Sequence, residues 1–115
     1  REIKFRAWDT KSESMEYEIA IGKGYGEDSY ILFLGLGETF IIDDDIVKIM
    51  QYTGLKDKNN VEIFEYMEID NTYEVSFLNG SYVLTNISNG EIMLLSNYME
   101  NHNGKVEITR EYTKV

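Results

Sequence analysis

Met50-Gln51-Tyr52-Thr53-Gly54-Leu55-Lys56-Asp57-Lys58-Asn59-Asn60-Val61-Glu62-Ile63-Phe64-Glu65 is two apolar runs joined by a polar reversal. Ile49, Met50, Tyr52 and Leu55 precede the reversal, and Val61, Ile63 and Phe64 follow it. Gly54 takes positive φ at no steric cost, and residues 57–60 carry side chains that bond their own backbone and tolerate the left-handed region. The stretch predicts a turn between two extended segments, and the chain reads outward from it as a series of short strands.

Upstream, Ile3, Phe5 and Ala7 alternate with Lys4, Arg6 and Trp8. That is the period of a strand over residues 2–8, with one buried face and the other partly covered by the indole. After polar residues 9–14, Met15, Tyr17, Ile19 and Ile21 alternate with Glu16, Glu18 and Ala20, which reads as the returning strand of a hairpin. Glycines at 22, 24 and 26 open a loop running to Ser29, where most mobility is expected. A phosphate-binding loop would lead its glycines into a helix with free N–H groups facing the anion. These lead into Glu27, Asp28 and the β-like run at residues 30–34, which argues against a nucleotide site. Residues 39–42 form a further short strand, and residues 46–52 read as extended because of their β-branched content.

Downstream, residues 61–69 are strand-like, and residues 73–77 and 81–85 flank Asn79-Gly80, the strongest short hairpin signal. Asn89-Gly90 repeats the device before Ile92-Met93-Leu94-Leu95. Residues 96–100 suit one turn of helix, and residues 106–109 a last strand. The expectation is a mainly β chain, with strands spaced as in an antiparallel barrel or sandwich.

At 115 residues the chain holds one modest core, so a single domain over 1–115 is expected, with lobes 1–49 and 50–115 as the alternative division. Apolar residues at 43% and aromatics at 13% give a globular balance. The absence of cysteine excludes disulfides, thiolate metal sites and a cysteine nucleophile together, and it fits a cytoplasmic protein. No apolar run approaches the roughly 20 residues of a membrane helix. Eleven Lys and Arg against 21 Asp and Glu leave a charge of −10. The excess is spread along the chain and repels phosphate backbones, so direct nucleic-acid binding is disfavoured.

The opening Arg1-Glu2-Ile3-Lys4-Phe5-Arg6-Ala7-Trp8-Asp9 and the central stretch together resemble the YopX family of phage and prophage proteins, whose motifs run close to REIKFRAWD and QYTGLKDKNGKEIYEGD. The resemblance covers residues 1–9 and 50–63 best and residues 70–85 less well. It implies a small SH3-type barrel in the C-terminal part and a less regular N-terminal lobe. It carries no reaction with it. Tyr66 stands where the family usually has glycine, which predicts an extended strand in place of a sharp turn at residues 65–68. Asn60 also replaces a glycine, a milder change because Asn tolerates positive φ.

No constellation of residues points to catalysis. His102, between two asparagines, reads as an exposed loop histidine, and without thiolates a structural zinc site is close to excluded. Asp43, Asp44 and Asp45 form the densest acidic run, but they lack the alternate-position spacing of a calcium loop and read as a solvated turn or a helix cap. No cofactor or metal is expected, and no enzyme. Trp8 and Tyr52 lie in the family-like motifs and are expected to help pack the first strand against the central segment. Trp8, Tyr52 and Asp43–Asp45 are the candidate interaction residues. The favoured function is a non-enzymatic phage accessory protein that binds a protein, or itself as a homo-oligomer, through strand edges and aromatic patches. The alternative is an acidic inhibitor or nucleic-acid mimic that occupies a basic site on a host protein.

Overall fold

A computed structural model of the chain describes residues 3–17, 19–23, 30–34, 39–41 and 47–112. The expected loop tip at residues 24–29 and the acidic run Asp43, Asp44 and Asp45 lie outside the described residues. The protein is mainly β, built of antiparallel sheets with one short helix, and its described residues divide into two compact units, one within 4–51 and the other of residue 3 with 52–112. No helix among the described residues is long and apolar enough to cross a membrane.

In the first unit, β1 (Phe5–Asp9) pairs on one side with β2 (Ser14–Glu16) and on the other with the first half of β6 (Val47–Lys56). Asp9 makes the tight reversal between β1 and β2, its Oδ1 accepting the backbone N–H of Lys11 at 2.9 Å. The returning strand expected over residues 15–21 is two strands. β2 ends at Glu16, and β3 (Ile19–Lys23) pairs instead with β4 (Tyr30–Leu34), which pairs with β5 (Thr39–Ile41). The alternating period runs through Tyr17 unbroken, because a change of pairing partner does not alter which residue types suit a strand. The described parts of this unit are thus regular antiparallel strands. Ala7 and Val47 form its buried cluster, with Ile19 and Ile49 against them.

Burial along β1 departs from the expected two-faced pattern. Ile3 is 71% exposed, whereas Arg6 is fully buried. β1 is a central strand with both edges paired, and the burial of Arg6 and Ala7, which point to opposite faces, shows that the sheet is covered on both sides here. The Arg6 guanidinium donates toward the Tyr17 hydroxyl and the Met50 sulfur, both at 3.5 Å, and sits over the Tyr17 ring.

The second unit holds the larger core: Tyr52, Ile63, Phe64, Met67, Ile69, Val75, Leu84, Leu95 and Val106. Its five-stranded sheet runs in the order β11 (Ile92–Leu94), β10 (Ser81–Asn86), β9 (Tyr73–Leu78), β8 (Glu68–Ile69), β12 (Ile108–Arg110). The second half of β6 pairs with β7 (Glu62–Phe64), and the register shifts at Gly54, whose φ is 86°. The central turn forms as read, with Asn60 at φ 64°. At Asn79-Gly80 both residues have positive φ and Leu78 faces Ser81, the two-residue primed hairpin that the pair predicts. Asn89-Gly90 does not repeat it. Thr85 pairs with Ile92, so the connection is longer, and Asn86 closes it by accepting the N–H groups of Ser88 and Asn89 on Oδ1.

The extended strand expected across residues 65–68 is also overturned. Tyr66 has φ 69°, so the tyrosine adopts the glycine-like turn, at a cost of about 1–2 kcal/mol for a residue with a Cβ. Tertiary bonds hold it there: Tyr66 N–H donates to Val75 O at 2.7 Å, Val75 N–H donates to Met67 O, and the Tyr66 ring lies against Tyr112.

Candidate docking surface

The helix α1 (Leu95–Asn101) follows β11 without a linker and buries Leu95. Between α1, the β9–β10 hairpin and the second half of β6 lies an open groove of about 310 Å³, lined by Thr53, Leu55, Phe77, Tyr82, Leu94 and Ser96. Its floor is held by polar bonds: Thr53 Oγ1 donates to Ile63 O at 2.8 Å, and the Tyr82 hydroxyl donates to Tyr52 O at 3.3 Å. Phe77 meets Tyr82 edge to face across the hairpin. Two apolar residues of the lining, Phe77 and Leu94, are 47% and 41% exposed, and next to them along the strands Leu78, Ile92 and Met93 are 45%, 55% and 37% exposed.

β11 is one margin of the sheet. The two-residue turn makes Leu78 and Ser81 a hydrogen-bonded pair, so alternate residues Val83 and Thr85 turn their backbone groups to β9 while Leu84 and Asn86 turn theirs to β11. The bond from Asn86 N–H to Glu91 O agrees. In this alternation Met93 is the β11 residue bonded to β10, through Leu84, and Ile92 directs its N–H and C=O, and Leu94 its N–H, away from the sheet, while Leu94 also caps α1.

The opposite margin, β12, is tied down. Asp57, 7% exposed, accepts the N–H groups of Asn59 and Val61 on Oδ1 and that of Ile108 on Oδ2. Burial opposes its charge, but the N–H groups of Val61, Ile108 and Asn59 outweigh that and hold the carboxyl below the usual carboxylate range. Asp70 accepts from Glu107 N–H and from the Tyr98 hydroxyl at 2.7 Å. Burial pushes the Tyr98 phenol up, and its bond to the Asp70 carboxylate adds to the shift. His102 is exposed and stacks on Tyr98. Among the described residues no three His, Asp or Glu side chains group as a metal site.

Of the residues singled out from sequence, Tyr52 is 4% exposed and its ring is engaged in the core against Phe64. Trp8 is half-buried in the first unit, opposite Met15 and Lys48 in register. Sequence reading passed over Asp70 and the exposed apolar strand Ile92–Leu94. Asp70-Asn71 between apolar runs was a legible turn signal, and both residues have positive φ. Nothing local distinguishes an edge strand from a central one in Ile92-Met93-Leu94.

Comparison with known protein families matches residues 4–107 to the YopX protein model. The chain belongs to the YopX family. This YopX chain is also similar to the crystal structure of protein EF1440 from Enterococcus faecalis, with a TM-score of 0.62, 23% identity, and coverage of 96% of this chain and 92% of that one. At that identity the likeness carries the fold alone. No curated protein matches the YopX chain in sequence.

Proposed function

We propose that this YopX-family protein is a non-enzymatic phage or prophage accessory protein of the bacterial cytoplasm, which docks a protein, a partner or a second copy, at the β11 margin and its groove. The observation that carries this reading is the open groove whose lining exposes Phe77 and Leu94, with Ile92 exposed beyond Leu94 on the same face of β11. Clustered exposed apolar surface of this kind is a mark of interaction sites. Residues 52–112 read as an SH3-type barrel, supported by the way the central turn reaches β12: Lys58 N–H donates to Val106 O at 2.8 Å beside the Asp57 to Ile108 bond. The test compares the wild-type protein with a double variant, Ile92→Asp with Leu94→Asp, for self-association by sedimentation and for retention of host proteins. Association or retention lost in a variant that keeps its melting temperature supports the reading. Identical behaviour of the two proteins overturns it.

A further inference from the structure

We infer that the open β11 margin receives an extended segment of a positively charged partner protein, added as a further strand beside Ile92–Leu94. The inference rests on the docking reading above and names the class of its occupant. Edge strands of monomeric proteins are normally blunted by shortness, a charge, a proline, a bulge or a covering helix or loop. Ile92-Met93-Leu94 is short but carries no charge, proline or bulge, and Ile92 aims its N–H and C=O outward and Leu94 its N–H, as strand addition requires.

Charge selects the occupant. From residue 59 to residue 104 there is no Lys or Arg, while Glu74, Glu91 and Glu100 are exposed. Glu91 directly precedes β11, and Glu100 lies on the helix that directly follows it. A second copy paired edge to edge would bring its own Glu91 to the same margin and add to the repulsion of an already acidic unit. A strand alternating Lys or Arg with aliphatic residues meets both features, its apolar side chains on the face of Ile92 and Leu94 and its cations on the other face, which Glu91 shares with Met93.

The test titrates the isotope-labelled full chain with a synthetic peptide alternating Lys and Val, and with its Glu and Val counterpart, at low and high salt. The expected result is amide shifts centred on residues 92–96 and the groove, at least about tenfold tighter binding of the basic peptide, and weakening with salt. Ile92→Pro removes an outward N–H without touching the ladder to β10 and is expected to abolish binding with an unchanged fold. Glu91→Lys with Glu100→Lys should reverse the peptide preference, an independent arm if the proline variant fails to fold. Equal binding of both peptides, or shifts centred elsewhere, overturns the inference. Self-association that strengthens with salt and is blocked by Ile92→Pro also overturns it while leaving the docking reading intact. Absence of both peptide binding and self-association removes both.

Discussion

The two margins of the five-stranded sheet are built on opposite plans. At β12, side chains distant in sequence close the edge: Asp57 bonds Ile108, Asp70 bonds Glu107, and Thr109 Oγ1 accepts from Asn71 N–H at 2.9 Å and donates to Glu68 Oε1 at 2.8 Å. At β11 three apolar residues stand open, with no side-chain bond of this kind across them among the described residues. The difference teaches where stability and binding reside. Polar groups committed to a partner within the chain are costly to remove, whereas an open apolar edge contributes little to the fold.

The sharpest way to break the comparison is Asp57→Ala. It strips the acceptor from three backbone N–H groups and should destabilise the protein by about 3 kcal/mol in chemical denaturation. The same site sets an acid limit. Because the folded pKa of Asp57 is depressed, its stabilisation is complete above the unfolded carboxylate value, about 3.9, and is lost as pH falls through the lower folded value. The Asp57→Ala protein should therefore show a shallower loss of stability in that acid range, and parallel pH curves for the two proteins would contradict the role assigned to Asp57.

Gly80→Val comes next. Nothing crowds a Cβ at that position, so the expected cost of about 1–2 kcal/mol arises from forcing a β-branched residue to φ 84°. Since β10 carries β11, amide exchange should accelerate more at residues 92–94 than at residues 108–110, and uniform acceleration would argue that the two margins open together. Thr109→Val removes the hydroxyl that links Asn71 and Glu68 and should cost about 1 kcal/mol, read from the thermal midpoint. Ile92→Thr, on the open margin, should change stability by no more than about 0.5 kcal/mol. A larger loss would mean that β11 is part of what holds the fold.

Much of the second unit is legible in the sequence. The strand runs, the central turn and the Asn79-Gly80 hairpin follow from alternation and from residues that tolerate positive φ, which are properties of short segments. The candidate surface is much less so. Tyr52 stands out in sequence as an aromatic within a motif, yet its ring fills the core, and Ile92-Met93-Leu94 reads like any apolar strand. Tyr66 misled for a related reason. Its type predicts an extended backbone, and only the bonds it and Met67 make to Val75 show why the turn persists.

By itself the sequence determined a β-rich chain, its principal turns, its acidic charge and its family, because each of these is written in local pattern, composition or motif. Only the tertiary structure decided that Arg6 is buried, that the chain leaves β1 after Glu16, that Asp57 reaches Ile108, and that β11 rather than β12 is the open margin. Those outcomes depend on which strands lie side by side. Strand order is a long-range choice that side-chain alternation along a single strand does not encode.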